Sequence, residues 1–162
     1  MSIALGPLVR QYTATDIRPL IPLIRKNVTL NFPGWPNISS ESSGSNIAVE
    51  ELDWQLLEST PISQRAKICD FEPVDLLLVV DCIYHPSLLS PMVTTIDYLS
   101  IPGRTTVLII SELRAEDVIR EFLETWLSKP VWEIWRIPNE LLGKHYAIWM
   151  GWKPLLADSI NK

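Results

Sequence analysis

Residues 74–84 read V-D-L-L-L-V-V-D-C-I-Y, and this stretch decides the fold. The apolar run from Leu76 to Val80 is typical of a strand that is covered on both faces inside a parallel α/β sheet. The run ends at Asp81, and His85-Pro86 then turns the chain away. Because ligands bind outside the carboxyl ends of the strands in open α/β sheets, we expect a functional site at this point.

The composition is that of a folded protein. The chain has 162 residues, of which 47% are apolar, and its mean hydropathy is +0.14. These values predict one domain with its own core, spanning residues 1–162, rather than a disordered chain. The apolar runs are too short to cross a bilayer, and residues 1–10 lack the features of a signal peptide. We therefore expect a soluble intracellular protein without a membrane partner.

Charge and cysteine content exclude several classes of function. The net charge is −5 and Lys and Arg are not clustered, which argues against direct binding of nucleic acid. An acidic surface is compatible with a basic protein substrate, although the charge is modest. Two cysteines and two histidines show no metal-binding spacing, so we predict free thiols and no metal.

Hydrophobic periodicity predicts a chain of alternating strands and helices. The predicted order is helix 3–9, strand 11–15, helix 17–30, strands 47–52 and 74–80, helix 87–99, strand 105–110, helix 115–127, and strands 131–137 and 145–152. A short helix is expected at 64–68, and the residues 32–46, rich in Pro, Gly, Ser and Asn, predict a surface loop. This order indicates an α/β, Rossmann-like sheet that is mostly parallel and closes with an antiparallel C-terminal pair.

Asp16 and Trp54 each follow a predicted strand and are candidates for binding a nucleoside. A carboxylate at the end of a strand can accept hydrogen bonds from both hydroxyls of a ribose, whereas the alternative for Asp16 is a cap of the following helix. Composition alone favours the cap. Trp54 could stack on an adenine, but it is one of seven tryptophans, and packing in the core is the favoured alternative.

Asp81 and Tyr84 lie three residues apart beyond the strand 74–80. A carboxylate and a phenol at one turn could hold and orient a cationic amine. The alternative, a capping Asp and a core Tyr, carries equal weight. Cys82 has no identifiable His or Asn partner, so an inert thiol is favoured, and His85 is read as a loop residue.

Four short motifs resemble a known family. They are T-A-T-D at 13–16, L-I-R-K-N-V at 23–28, L-D-W at 52–54 and D-x-x-Y at 81–84. Together they resemble the seven-strand S-adenosylmethionine-dependent protein-lysine methyltransferases of the small family 16 group, and within it the fungal ribosomal-protein lysine methyltransferase branch. The resemblance covers nearly the whole chain, and the D-x-x-Y motif is its strongest marker.

The resemblance implies a role for each matching position. Asp16 would bind the ribose of S-adenosylmethionine, Trp54 would contact its adenine side, and the backbone of Val80 would touch the cofactor. Asp53 would also belong to the cofactor-binding residues. Asp81 and Tyr84 would lie at the methyl-transfer site, and Asp16, Trp54 and Tyr84 would share one rim of the sheet. The substrate would be a lysine amine of a ribosomal or translation-related protein, and the enzyme a monomer of the cytoplasm, and also of the nucleus.

One part of the family pattern is not found in the sequence. The family places a glycine-rich E-x-G-x-G-x-G loop after its first strand, and that strand lies between those predicted here at 11–15 and 74–80. The 162 residues contain no such run, and residues 1–5 read as the inside of the following helix. We therefore expect an N-terminally incomplete methyltransferase domain. The alternative to an active enzyme is a non-catalytic, truncated methyltransferase-like protein that cannot hold the cofactor.

A methyltransferase acting on a small molecule or a nucleic acid is a lesser alternative. Related folds accept many substrates, so the fold alone does not choose between them. The sequence contains no N-P-P-Y motif of the kind used on amides and base amines, which weighs against this alternative.

Overall fold

A computed structural model describes residues 1–138, 140 and 145–155. Its helices and strands alternate as the periodicity predicts. They are α1 (Ser2–Leu5), β1 (Tyr12–Asp16), α2 (Ile21–Asn31), β2 (Ile47–Glu51), α3 (Trp54–Ser59), α4 (Ile62–Arg65), β3 (Leu76–Val80), α5 (Pro86–Leu99), β4 (Thr106–Glu112), α6 (Glu116–Leu127), β5 (Glu133–Ile137) and β6 (Tyr146–Trp152). Short 3₁₀ turns cover Gly6–Leu8 and Arg18–Leu20. These elements form two compact units, Met1–Asp53 and the described residues from Trp54 onward.

The first unit is a two-stranded parallel sheet covered by a helix. Strands β1 and β2 pair in parallel, with Tyr12 opposite Ile47 and Asp16 opposite Glu51. Val28 of helix α2 and the inward-facing Val49 of β2 are buried in the same core cluster. The apolar face of a helix, with residues three and four apart, packs against the face of a strand that carries every second residue. The carboxyl ends of both strands therefore lie at the same edge of this sheet.

The residues 32–46 contain no helix or strand and are rich in turns. Their ends are nevertheless anchored. Phe32 is buried in the core of the first unit, and a Cβ on Gly44 would collide with its ring. The indole N–H of Trp35 donates to the carbonyl of Ile47 at 3.0 Å. The loop is therefore packed against its own unit at several points.

The second unit is a four-stranded mixed sheet in the order β3-β4-β6-β5. Strands β3 and β4 are parallel, whereas β6 runs antiparallel to both β4 and β5. The core cluster combines residues of the sheet with residues of α5 and α6, and its largest member, Trp126, is fully buried. Phe122 stacks on Trp126 with ring centroids 5.6 Å apart. The cluster fixes β3 and β4, which carry the acidic turn described below.

Three local predictions differ from the structure. The helix predicted at 64–68 is replaced by two short helices, α3 and α4. The helix predicted at 17–30 begins at Ile21 instead, with Pro22 in its first turn and a 3₁₀ turn before it. Strand β3 is not covered on both faces, since only Val79 is buried and Leu76 is 49% exposed. The strand also lies at an edge of its sheet, where β4 is its single neighbour among the described strands.

Candidate functional site

The acidic turn after β3 is held in an unusual backbone conformation. Asp81 has a φ of 54°, in the left-handed region that only a few non-glycine residues such as Asp and Asn tolerate. Its N–H donates to the carbonyl of Ile110 at 2.7 Å, which extends the ladder between β3 and β4 by one residue. The Cys82 thiol donates to the carbonyl of Val80 at 3.3 Å. The main-chain hydrogen bond to Ile110 therefore ties the turn to β4.

The side chain of Asp81 is bound to a cation from the neighbouring strand. Its Oδ2 lies 2.9 Å from Nη2 of Arg114, whose guanidinium also contacts Oε2 of Glu112 at 2.7 Å. Glu112 is the last residue of β4, and Arg114 follows two residues later. Because β3 and β4 are parallel, both carboxylates lie at the carboxyl edge of the sheet, where α/β proteins bind ligands.

Tyr84 and His85 complete this turn. Tyr84 is 60% exposed, so the alternative of a core tyrosine is wrong, while the apolar Ile83 next to it is buried. The Nδ1 of His85 accepts a hydrogen bond from the N–H of Ser87 and caps α5. His85 is therefore a loop residue with a capping role, as the favoured interpretation predicts. Asp81 and Tyr84 are both accessible at the carboxyl end of β3.

Asp16 and Asp53 lie at the corresponding edge of the first unit. Asp16 ends β1, and its carbonyl accepts a hydrogen bond from the N–H of Leu52 at 2.9 Å, next to Asp53. The Oδ1 of Asp16 accepts the N–H of Ile17 at 2.8 Å. No side chain caps α2, so the favoured interpretation of Asp16 as a helix cap is wrong. The structure brings Asp16 and Asp53 together at the carboxyl ends of parallel strands.

Trp54 begins α3 in the second unit and is half-buried. Its ring packs against the core cluster of that unit, as the core alternative predicts. The prediction that Asp16, Trp54 and Tyr84 share one rim joins residues of two separately described units and stays a prediction.

A groove of about 500 Å³ lies elsewhere, along the outer edge of β2 in the first unit. Its polar walls are Arg25 and Trp35, which donate to the carbonyls of Val49 and Ile47. These bonds occupy backbone acceptors that an edge strand would otherwise present to another chain. The two bonds are explained by protection of a sheet edge, and none of the predicted site residues lines the groove.

The described parts of the chain contain no group of three metal-ligating side chains. Over the same residues, no helix combines the length and the apolar character that crossing a bilayer requires. Cys69 and Cys82 are both free thiols. Burial, followed by the charge of Asp70, raises the pKa of the Cys69 thiol to about 11, so this thiol is inert at neutral pH.

Sequence reasoning missed Glu112 and Arg114. The predicted strand at 105–110 ended with the apolar run, whereas β4 continues to Glu112 because Ser111 and Glu112 pair with Ala147 and Tyr146 of β6. The available signal was the E-L-R stretch at 112–114, placed at the end of a strand that follows D-C-I-Y in the chain.

Two solved structures resemble this chain in fold. A candidate rRNA-methylase from Clostridium thermocellum has a TM-score of 0.55 and 10% identity, and the match covers 90% of this chain and 73% of that one. A candidate O-methyltransferase from Klebsiella pneumoniae has a TM-score of 0.52 and 13% identity, covering 90% of this chain and 62% of that one. The predicted Rossmann-like methyltransferase fold is confirmed. At these identities the likeness shows the fold alone.

The fold resembles that of α/β methyltransferases, with acidic turns at the carboxyl ends of parallel strands. Within that class, the profile of the lysine methyltransferase family matches residues 2–128, and the chain belongs to that family.

A relative from Schizosaccharomyces pombe is similar to most of the chain. It is named diaminohydroxyphosphoribosylamino-pyrimidine deaminase and is 32% identical over 144 residues, which are 88% of this chain and 31% of the relative. The chain therefore spans about a third of the length of the curated relative that it matches.

Proposed function

We propose that the chain transfers a methyl group from S-adenosylmethionine to a lysine amine of a protein. The observation that carries the proposal is the accessible Asp81 at the carboxyl end of β3, in a chain of the lysine methyltransferase family. A carboxylate at this place can accept hydrogen bonds from the N–H groups of an amine and direct its lone pair. A ribosomal or translation-related protein is the proposed substrate, by resemblance of the motifs.

The cofactor would be held at the carboxyl ends of the strands. By the resemblance, Asp16 would bind the ribose hydroxyls, Trp54 would contact the adenine side, and the backbone of Val80 and the residue Asp53 would also contact the cofactor. The half-buried Asp16 carboxylate and the partly covered Trp54 ring have the chemistry that a ribose and an adenine require. When bound, S-adenosylmethionine supplies an electrophilic methyl group, so the protein mainly needs to orient the amine.

Asp81 and Tyr84 would act on the amine. The Asp81 carboxylate would accept its N–H groups, while the Tyr84 ring would line the approach of the lysine stem and exclude water. The lysine ammonium would first lose one proton to water, because only the neutral amine has a lone pair that can attack the methyl carbon. The chain would work as a monomer in the cytoplasm, and in the nucleus as well.

A second candidate function is a non-catalytic methyltransferase-like protein. One observation favours it: among the described strands, β1 pairs only with β2 and β3 pairs only with β4. These are the two strands that the resemblance places beside the first strand of the family. A further strand with its glycine-rich loop would supply the missing hydrogen bonds and contact the methionine part of the cofactor.

The name of the S. pombe relative does not supply a third candidate. Zinc deaminases that act on nucleobases carry H-x-E and P-C-x-x-C motifs, which hold the metal and the general acid/base. The 162 residues contain neither motif. Deamination is therefore not proposed for this chain.

Calorimetric titration with S-adenosylmethionine and S-adenosylhomocysteine, together with a methylation assay on ribosomal proteins, tests both candidates. The 162-residue chain is expected to bind weakly, and the same chain preceded by the first strand and glycine-rich loop of a relative is expected to bind and to methylate lysine. Asp81→Ala and the closer mimic Asp81→Asn should abolish methylation and leave cofactor affinity nearly unchanged. Undiminished turnover in both variants removes Asp81 from the reaction, and failure of the extended chain to bind favours the second candidate.

A further inference from the structure

Arg114 joins the two carboxylates at the ends of β3 and β4. Its Nη2 contacts Oδ2 of Asp81 at 2.9 Å, while Nη2 and Nε both lie 2.7 Å from Oε2 of Glu112. The hydrogen bond with Glu112, followed by the charges of Asp81 and Glu112, raises the pKa of Arg114. The guanidinium is therefore permanently charged and is held by two acceptors on different strands.

Main-chain hydrogen bonds hold the backbone next to both partners of this ion pair. The N–H of Leu113 donates to the carbonyl of His145 at 2.6 Å, and the N–H of Arg114 donates to the carbonyl of Glu112 at 3.0 Å. These bonds turn the chain back at the end of β4. Asp81 is itself tied to the carbonyl of Ile110 on the same strand. Both partners of the ion pair are thus fixed to β4 by main-chain hydrogen bonds.

We propose that Arg114 is a positioning residue of the methyl-transfer site, which holds Asp81 through Oδ2 so that Oδ1 faces the incoming lysine amine. The inference rests on the proposed function of Asp81. Because Nε and Nη2 both donate to Oε2 of Glu112, the planar guanidinium is fixed in direction while its Nη2 holds Oδ2 of Asp81, which the point charge of an ammonium would not achieve. Small errors in the direction of the amine are costly, since methyl transfer requires an in-line approach.

The competing explanation is an ordinary surface ion pair. The side chains of Arg114 and Asp81 are 58% and 46% exposed, and pairs of this kind contribute about 0–1 kcal/mol to stability. A matched pair lies at the opposite, amino end of the same two strands. There Nε of Arg104 lies 2.9 Å from Oδ1 of Asp75, with side chains 43% and 76% exposed. Arg104→Ala therefore removes a comparable ion pair away from the acidic turn.

The kinetic test compares Arg114→Ala with Arg104→Ala in the extended chain that binds cofactor. Arg114→Ala should lower kcat for lysine methylation by roughly tenfold to a hundredfold, with the Kd for S-adenosylmethionine unchanged. Arg114→Lys should recover part of this loss, because it restores the charge without the fork. Arg104→Ala should keep the kcat of the unmodified chain. Equal turnover in Arg114→Ala and Arg104→Ala overturns the inference while leaving the proposed function intact.

Hydrogen exchange at the Asp81 amide gives a readout that does not depend on activity. If Arg114 holds the turn, exchange at this amide should accelerate by roughly two- to fivefold in Arg114→Ala, and it should not change in Arg104→Ala. Equal exchange rates in the two variants contradict the inference whatever the chain catalyses. A cofactor-binding chain that methylates no lysine overturns the proposed function instead, and the exchange rates still decide whether Arg114 holds Asp81.

Discussion

The ammonium nitrogen of Lys153 lies 2.7 Å from Oδ1 of Asp97 and 2.8 Å from the carbonyl oxygen of the same residue. The indole N–H of Trp132 donates to the same Oδ1 at 2.9 Å, and Lys153 lies over the Trp132 ring at 5.4 Å from its centroid. Asp97 belongs to α5, whereas Trp132 precedes β5 and Lys153 follows β6. This cluster therefore ties the ends of the antiparallel pair to the helix behind them.

Replacing Asp97 should destabilise the second unit. Asp97→Ala leaves Lys153, whose side chain is only 15% exposed, without its counter-ion, and it also removes the acceptor of Trp132. We expect a loss of about 1–3 kcal/mol in the free energy of unfolding. Urea denaturation followed by tryptophan fluorescence measures it. Asp75→Ala, which breaks the exposed pair with Arg104, is the control and should cost no more than about 1 kcal/mol.

The contribution of Asp97 should depend on pH in a defined direction. Burial alone would raise the pKa of its carboxyl, but hydrogen bonds from Lys153 and Trp132, together with the charges of Lys153 and Lys129, outweigh burial and lower it. A pKa that is lower in the folded state stabilises the protein above the unfolded value of about 4, and this stabilisation is lost as pH falls through the folded value. The difference in unfolding free energy between the unmodified chain and Asp97→Asn should be full at pH 7 and shrink below about pH 4. A constant difference from pH 7 to pH 3 contradicts this account.

The strands could be predicted from the sequence where their pattern is local, and not where distant pairing decides. The apolar run of β3 predicted a strand covered on both faces, yet Leu76 is half-exposed. An apolar pattern reports the chemistry of the side chains, but it does not report which elements surround the strand, and β3 lies at an edge of its sheet. Glu112 interrupts the apolar pattern of β4, but pairing with Tyr146 extends the strand through it. The contact of Arg114 with Asp81 was therefore not predictable, since it depends on where β4 ends.

In the candidate site, too, the sequence predicts some features and leaves others to be decided by the structure. The position of Asp81 directly after β3 follows from a motif that is local in sequence, whereas the exposure of Tyr84 was left open by the sequence and is decided by the structure. The position of Asp16 after a strand favoured a helix cap, but Pro19 and Pro22 favour a 3₁₀ turn and move the start of α2 beyond the reach of its side chain. Local signals therefore identify the candidate residues, while the structure selects between their alternative roles.

Gly151 should tolerate no larger residue. A Cβ at this position would lie 2.5 Å from Cζ2 of the fully buried Trp126. Gly151→Ala should destabilise the chain by about 1–3 kcal/mol, because the ring has no space into which it can move. The double variant Gly151→Ala with Trp126→Phe should recover part of this loss, since the smaller ring removes the collision. Denaturation of the three variants measures the coupling, and strictly additive costs would show that the collision is not the cause.

Cys69 should resist modification in the folded state. Burial and the nearby Asp70 raise the pKa of its thiol to about 11, so the reactive thiolate is scarce at pH 8. In the Cys82→Ser variant, which leaves Cys69 as the single thiol, reaction with a disulfide reagent should be slower than that of a free thiol by on the order of a hundredfold. Unfolding in urea should restore the normal rate. Fast reaction without denaturant would show that this part of the chain opens readily.

Asp16 should contribute directly to cofactor affinity if its proposed contact with the ribose is correct. Asp16→Asn keeps one side-chain oxygen for the N–H of Ile17, but it removes the negative charge and the second acceptor oxygen with which a carboxylate can bind two hydroxyls. The loss of one such charged bond, about 1.5–3 kcal/mol, corresponds to a roughly tenfold or greater increase in Kd for S-adenosylhomocysteine. Ligand-detected NMR measures this even for weak binding. Asp75→Asn, at the amino end of β3, is the control and should leave Kd unchanged, whereas an unchanged Kd in Asp16→Asn would exclude Asp16 from the cofactor site.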